Sequence, residues 1–271
     1  ESDNSFRVSP TQADNTVLTI SIQGHGGDDI VSLTEAAIRK NSVTFDGGDG
    51  DDRISYDNFN LPTFSFNSAN NSLSDSVALP TVQRTIVANV EELSIRAGAG
   101  NNHLNLVGFP GRVVLNGGAR NDTLAGGSFN ELLFGGDGND RLYGNAGNDF
   151  LSGDIGNDTI FGGIGNDEIL AGGGANSVLG GNGDDSIRGG EGADTLHGES
   201  GNDVLSGSLG NDVINGGDDE DTLEESGNVN FRLTSVQLTG LGTDALATLE
   251  RVQLVGGDGN NTLDATGVSF Q

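Results

Sequence analysis

The stretch Gly135-Gly136-Asp137-Gly138-Asn139-Asp140-Arg141-Leu142-Tyr143 is one copy of the nine-residue motif that decides the fold. The motif reads Gly-Gly-x-Gly-x-Asp-x-aliphatic-x, and twelve units with this period follow one another without insertion from Gly117 to Glu224. A fixed period predicts a repeat architecture before local propensity is considered. We therefore expect a solenoid and not a conventional globular core.

The last three positions of each unit are strand-forming, and the first six are turn-forming. Side chains alternate along a strand, so the aliphatic eighth residue, such as Leu142, should point inward while Arg141 and Tyr143 point outward. Two units then complete one coil, and each strand pairs in parallel with the strand two units later. This reasoning predicts an all-β fold, a parallel β-roll or right-handed β-helix.

The flanks carry isolated copies of the motif, each entered by a strand pattern, at 24–32, 47–55, 97–105 and 256–264. In the N-terminal flank, Phe64 and Phe66 alternate before 68–71, a sequence typical of a hairpin turn. We predict three segments: a β-rich flank at 1–116, the twelve-unit roll at 117–224, and a β-rich flank or cap at 225–271.

Composition restricts the possible partners. The net charge of -28 argues against nucleic acid and anionic membrane surfaces and favours cations. The absence of cysteine excludes disulfides and thiolate metal sites. No apolar run approaches membrane-spanning length, so we expect no membrane insertion.

The sixth position of each unit carries an oxygen donor into the space between stacked turns. These residues are Asp122, Glu131, Asp140, Asp149, Asp158, Asp167, Asn176, Asp185, Asp194, Asp203, Asp212 and Asp221. Glycines allow the backbone of neighbouring coils to approach closely and expose carbonyl oxygens to the same space. A hard divalent cation that takes six or more oxygen ligands suits such a site.

The tandem units resemble those of the RTX, or repeats-in-toxin, calcium-binding proteins, whose nonapeptides form a parallel β-roll. The resemblance covers 117–224 closely and implies that each calcium ion lies between two turns on the same side. Backbone carbonyls from both turns and shared aspartate carboxylates would bind it. Asp140 and Asp158 would then flank one ion, and Asp149 and Asp167 another.

The resemblance implies several calcium ions, at most about ten in the central roll. The expected ligand residues are Asp122, Gly135, Asp137, Asp140, Gly144, Asp149, Gly153, Asp158, Gly162, Asp167, Gly180, Asp185, Gly189, Asp194, Gly198, Asp203, Asp212 and Asp221, with Asp29 and Asp52 in the flank. Asn176 brings no charge, and Glu131 is one methylene longer. Arg120, Phe129 and Asp219 replace the glycine of position four. The best sites should therefore lie between Gly135 and Asp212, with Asn176 as the weak point.

Calcium should decide whether the roll folds. One buried aliphatic side chain per nine residues is too little to offset the backbone entropy that ordering them costs. The clustered carboxylates also repel one another without a cation. We therefore expect the roll to be largely unfolded without calcium.

No catalytic motif accompanies the repeats, so we predict a non-enzymatic, calcium-binding structural module of an extracellular bacterial surface protein, adhesin or filament. Glu1 to Asn4 resemble neither a signal peptide nor a translation start, so we expect a piece of a longer protein. Copies of itself or adjoining domains could stack on its ends. The first alternative is an export or substrate-contact module of a secreted protease, lipase or polysaccharide-modifying enzyme. A carbohydrate-binding module is less favoured, because the chain has two tyrosines and no tryptophan.

Overall fold

The computed structural model describes residues 5–8, 19–23, 30–34, 42–46, 53–59, 63–67, 72–75, 85–88, 90–97, 99–227, 231–234 and 237–265. Every regular element in these residues is a β-strand, which confirms the all-β prediction. No helix among them is long and apolar enough to cross a membrane. The chain divides into two compact units, residues 1–135 and 136–271. The predicted three-segment division stays a prediction.

In the described residues of the first unit, twelve strands are complete. They are β1 Ser5–Val8, β2 Thr19–Gln23, β3 Ile30–Thr34, β4 Ser42–Asp46, β5 Arg53–Phe59, β6 Thr63–Asn67, β7 Ser72–Asp75, β8 Thr85–Ala88, β9 Glu92–Ala97, β10 His103–Asn105, β11 Arg112–Ala119 and β12 Thr123–Ala125. One sheet has the order β1-β3-β5-β9-β11, and the other has the order β2-β4-β8-β7-β6-β10-β12. Strands therefore alternate between two sheets, as in a solenoid.

Among the described strands of the first unit, the pairs are parallel except at one inserted hairpin. Strand β7 pairs antiparallel with both β6 and β8, and it follows the predicted turn at 68–71 directly. Leu93, Leu115 and Phe109 are among the side chains buried in this unit. A strand β13, Leu132–Asp137, contains the boundary between the two units.

The described part of the second unit contains fifteen strands. They are β14 Arg141–Ala146, β15 Phe150–Ile155, β16 Thr159–Ile164, β17 Glu168–Gly173, β18 Ser177–Asn182, β19 Ser186–Glu191, β20 Thr195–Ser200, β21 Val204–Leu209, β22 Val213–Asp218, β23 Thr222–Gly227, β24 Phe231–Thr234, β25 Gln237–Thr239, β26 Thr243–Ala247, β27 Arg251–Gly256 and β28 Leu263–Asp264. One sheet runs β15-β17-β19-β21-β23-β27, and the other runs β14-β16-β18-β20-β22-β26-β25-β24-β28.

The predicted two-unit coil is present in this part of the chain. Arg141 pairs with Thr159, and the same offset of two units recurs along both sheets as parallel register. The aliphatic residues of position eight form the core, with at most 2% of each exposed: Leu142, Leu151, Ile160, Ile169, Val178, Ile187, Leu196, Leu205, Ile214 and Leu223. On the outer face, the rings of Tyr143 and Phe161 stack with centroids 4.9 Å apart. Each unit thus contributes one core side chain and one turn.

Most units have glycine at position four, where the turn backbone has a positive φ, and Arg120 and Asp219 adopt a positive φ at the same position. Gly165 has a φ of 127°, and a side chain on it would collide with the carbonyl of Gly147 in the preceding coil. Asn145 and Asp154 adopt positive φ at position two, where other units have glycine. The motif's glycines therefore serve both the turn conformation and the close stacking of coils.

The C-terminal strands depart from this regularity. Strand β25 pairs antiparallel with β24 and with β26, and β24 pairs parallel with β28. Strand β26 continues the sheet beside β22, and β27 continues the other sheet beside β23. The hairpin formed by β24 and β25 was not predicted, because no periodic pattern marks 225–239.

Candidate metal centre

The position-six side chains of the second unit form two rows, one for each set of stacked turns. The first row is Asp140, Asp158, Asn176, Asp194 and Asp212, and the second row is Asp149, Asp167, Asp185, Asp203 and Asp221. All ten side chains are at most 3% exposed. Position six directly precedes a strand, so the parallel register brings these residues together at intervals of one coil.

One side-chain oxygen of each row member from Asp158 onward accepts a hydrogen bond from the preceding turn. The backbone N–H of Asp140 donates to Oδ1 of Asp158 at 2.7 Å, and that of Asp149 donates to Oδ1 of Asp167 at 2.8 Å. The pattern continues along both rows. Through these hydrogen bonds, Oδ1 links successive coils and so stabilises the fold.

The second carboxylate oxygen, Oδ2, has different surroundings from Oδ1. Oδ2 is buried and has no hydrogen-bond partner in Asp158, Asp167, Asp185, Asp194, Asp203, Asp212 and Asp221. A buried carboxylate oxygen without a donor or a cation carries a desolvation cost that native structures normally avoid. Seven such atoms at equivalent positions indicate that a common ligand is required.

In all of these residues except Asp212, the free oxygen lies over the glycine at position one of its own unit, together with a backbone carbonyl of the next turn. A side chain on Gly162 would collide with both Oδ2 of Asp167 and the carbonyl oxygen of Gly180. At Gly189, the carbonyl oxygen of Gly207 would lie 2.9 Å from an added Cβ. Only glycine leaves room for these oxygens to converge.

The same arrangement occurs in the first unit. An added Cβ at Gly117 would lie 2.5 Å from Oδ2 of Asp122 and 2.7 Å from the carbonyl oxygen of Gly135. Oδ1 of Asp122 accepts the backbone N–H of Asn102 at 2.6 Å, so Asn102 acts as position six of the copy at 97–105. The turn geometry is thus not restricted to the second unit.

The donor set fits a calcium ion. Carboxylate and carbonyl oxygens are the ligands that calcium prefers, and the turns offer both. No three acidic or histidine side chains gather around one point in the described residues. The side chains alone therefore do not complete a site, and backbone carbonyls such as those of Gly180 and Gly207 must contribute.

The raised pKa values of the aspartates in the two rows also favour a bound cation. Burial, which removes hydration, raises the pKa of Asp158, Asp167 and Asp185 from 3.8 to about 7. Hydrogen bonds from the preceding turn lower these pKa values, and neighbouring carboxylates raise them further. The same causes raise the pKa of Asp194 and Asp203 to about 6. A divalent ion would remove the penalty by pairing with the charged forms.

The turn at Asn176 differs from the others at two positions. Its Oδ1 accepts the backbone N–H of Asp158 at 2.9 Å, so the ladder of hydrogen bonds between successive coils continues through this turn. Its Nδ2 lies 3.5 Å from the carbonyl oxygen of Gly174. This unit also has Ala171 instead of glycine at position one, and Ala171 is completely buried. This turn therefore lacks both the carboxylate charge of position six and the open space over position one.

The remaining predicted residues have varied positions. Glu131 is buried, and Oδ2 of Asp149 and Asp158 lie over Gly144 and Gly153 as at Gly162. Asp137, at position three, is exposed and so lies outside the buried set. Gly198 supplies a carbonyl oxygen over Gly180 and has Oδ2 of Asp203 over itself. Asp29 and Asp52 lie outside the described residues.

Two acidic residues beyond the tandem units extend the rows, and the sequence analysis missed both. Oδ1 of Asp244 accepts the N–H of Asp212 at 3.1 Å, and Oε2 of Glu250 accepts the N–H of Asp221 at 2.9 Å. The pattern Gly-x-Gly-x-Asp-x-Leu at 240–246 could have revealed Asp244. No sequence signal distinguishes Glu250.

Comparison with known proteins agrees with this geometry. The sequence profile of the RTX calcium-binding nonapeptide repeat, which spans four copies, matches residues 42–60, 116–151, 125–160, 152–187, 188–223 and 253–267. These matches cover just over half of the chain. No curated protein sequence matches it significantly. The chain is therefore a member of the RTX calcium-binding nonapeptide repeat family and a calcium-binding β-solenoid module.

Proposed function

We propose that this chain is a calcium-stabilised structural segment of an extracellular bacterial surface protein, adhesin or filament, and that it has no catalytic role. The observation that carries the proposal is the recurrence of a buried carboxylate oxygen without a hydrogen-bond partner in seven of the ten turns of the second unit. A scaffold that needs an ion at nearly every coil gains rigidity from calcium along its length. Such a design suits a load-bearing or spacing element.

The proposed location follows from the calcium supply. Extracellular calcium modules bind with dissociation constants of about 0.1–1 mM, which the calcium outside cells can saturate and cytosolic calcium cannot. In the cytosol, repulsion among the carboxylates of the two rows would keep unit 136–271 unfolded. The unit would fold after export, when calcium binds. Calcium would then act as the folding switch of the segment.

Self-assembly provides the test of the structural role. The full chain at millimolar calcium is to be followed by light scattering and negative-stain microscopy, with an EGTA-treated sample as control. We expect fibres, sheets or end-to-end oligomers that disappear on chelation. A chain that stays a monomer at every protein concentration would contradict the filament role.

A second candidate is a substrate-contact module of a secreted enzyme. One observation favours it, a polar cleft of about 510 Å³ on the outer face of the second unit. Its lining includes Asn182, His197, Glu199 and Asn215. Amide, imidazole and carboxylate groups are able to bind the hydroxyls of a polysaccharide.

Binding to polysaccharides separates the two candidates. Affinity electrophoresis of the calcium-loaded chain in gels that contain neutral or acidic polysaccharides would report retardation. The variant Asn215→Ala should lose that retardation, whereas Asn139→Ala, an exposed asparagine outside the cleft, should keep it. No retardation by any polysaccharide would leave the structural role as the better proposal.

A further inference from the structure

The series of repeat turns continues beyond Glu224, the last residue of the twelve tandem units. Strand β26 pairs with β22 in the register of the repeats, so that Leu246 lies beside Ile214. The N–H of Ala245 donates to the carbonyl oxygen of Asp212 at 2.7 Å, as the N–H of Val213 does to Asp194 at 2.8 Å. Asp244 therefore occupies position six of a thirteenth turn.

This turn is split by an insertion. Asp212 and Asp244 are 32 residues apart, whereas row neighbours within the tandem units are 18 apart. Glu225 follows position nine of the last unit and so stands at position one of the split turn, while Gly242 stands at position four. Gly242 lies against the carbonyl of Gly210 just as Gly210 lies against that of Gly192. Residues 228–241, which include β24 and β25, are the insertion.

An unpartnered oxygen is aimed into the split turn. Oδ2 of Asp212 is buried without a hydrogen-bond partner, and Asp212 is only 1% exposed. Oδ2 lies over the bare Cα of Gly207, where the three nearest atoms to an added Cβ all belong to Asp212. At Gly180 and Gly189, a carbonyl of the next turn approaches as well. The carbonyl contribution is therefore weaker at Gly207.

A third carboxylate lies in the region where that carbonyl approach is weaker. Glu225 is 2% exposed, and its Oε1 accepts the N–H of Ser208 at 3.0 Å and the hydroxyl of Ser206 at 3.3 Å. These two serines flank Gly207. None of Asp212, Glu225 and Asp244 is paired with a lysine or arginine in the described part of the chain. Three buried carboxylates without a counter-charge need a cation nearby.

We propose that Asp212 and Asp244 bind a divalent cation in the split turn, with Glu225 as a neighbouring charge that strengthens the binding. The site lies partly outside the residues that match the family profile, which end at 223 and resume at 253. Since no three acidic side chains gather around one point in the described residues, Asp212 and Asp244 are the direct carboxylate ligands. The ion would fasten the inserted hairpin and β26 to the repeat block.

Calcium counting on the full chain tests this site. Asp244→Asn keeps the acceptor for the N–H of Asp212 but removes the charge. At saturating calcium chloride, native mass spectrometry should show one ion fewer per chain, and amide exchange in 243–247 should be at least tenfold faster. Asp258→Asn, at an exposed aspartate of the same unit, should bind as many ions as the unmodified chain.

Two further variants make the outcome decisive. Asp167→Asn, inside the second row, should also lose an ion, because it removes a carboxylate from a repeat site. That site does not depend on the split turn. If Asp167→Asn loses an ion and Asp244→Asn does not, the split-turn site is overturned while the repeat sites stand. If Asp244→Asn fails to fold, Glu225→Gln replaces it and should weaken one binding step about tenfold. Unchanged binding by Glu225→Gln would then overturn the proposal.

Discussion

The two rows of the second unit share one backbone geometry but differ at one turn. In the second row, Asp167 and Asp185 each use Oδ1 for the ladder and leave Oδ2 free beside a glycine. In the first row, Asn176 keeps the ladder bond but offers no free carboxylate oxygen, and Ala171 stands where glycine would leave space. The ladder and the calcium site are therefore separable properties of the same side chain.

Removal of calcium should have the largest effect, because it acts on both rows at once. At neutral pH in EGTA, we expect the strand signal of the circular dichroism spectrum to be largely lost and to return with millimolar calcium. The cause is the set of buried carboxylates, which have no counter-charge without the ion. A strand-rich spectrum that is the same in EGTA and in calcium would contradict this prediction.

Acidification should partly replace calcium. The pKa of Asp158, Asp167 and Asp185 is raised from 3.8 to about 7, so the folded state binds more protons than the unfolded state. The metal-free fold is thus most stable below about pH 4, and this stability is lost as pH rises through about 7.

Circular dichroism in metal-free buffer between pH 8 and pH 4.5 measures this effect. We expect strand content to increase as pH falls, and we expect calcium affinity at pH 5.5 to be lower than at pH 7.5 because protons compete for the carboxylates. The prediction fails if the metal-free spectrum does not change with pH.

A methyl group in one turn should damage the second row locally. In Gly162→Ala, the new Cβ would collide with Oδ2 of Asp167 and the carbonyl oxygen of Gly180. Overpacking costs about 1–3 kcal/mol, and the loss of an ion adds to it. We expect a lower melting temperature in calcium and one ion fewer by native mass spectrometry.

Gly173→Ala is the matched control for this variant. A Cβ at Gly173 would meet no atom closer than 3.9 Å, and this glycine does not have a positive φ. We expect its stability to change by no more than about 1 kcal/mol. Equal losses in both variants would mean that the space over Gly162 has no special role.

The smallest predicted effect is the repair of the first row. The double variant Ala171→Gly, Asn176→Asp restores both the charge and the open space. It should bind one more calcium ion, which stabilises by about 2.7 kcal/mol when free calcium is about 100 times Kd. In EGTA the added carboxylate should destabilise instead.

Asn176→Asp alone separates the two contributions in the first row. With Ala171 still present, the methyl group should hinder the new carboxylate, so we expect a smaller gain in calcium than in the double variant. Calorimetric titration and thermal melts of both variants provide the measurements. If the single variant gains as much as the double one, Ala171 does not restrict the site.

The sequence predicted much of the candidate site because its period and the coil coincide. The inward position of Ile160, the pairing of Asp140 with Asp158, and the role of Gly162 all follow from one unit being half a coil. Asp244 was missed because its partner Asp212 lies at a spacing that the period does not contain, and Glu225 was missed because it stands where the motif has glycine. Recognition of an interrupted turn requires knowledge of which strand continues the sheet.

The sequence by itself determined the two-unit coil, the aliphatic core and the rows of acidic residues, because each depends on contacts that recur at one fixed offset. Only the tertiary structure decided that Oδ1 joins the coils while Oδ2 stays free, since both oxygens belong to the same residue. It also decided that Asp244 closes the first row across an inserted hairpin. That contact joins residues 32 apart, and no local pattern encodes such a distance.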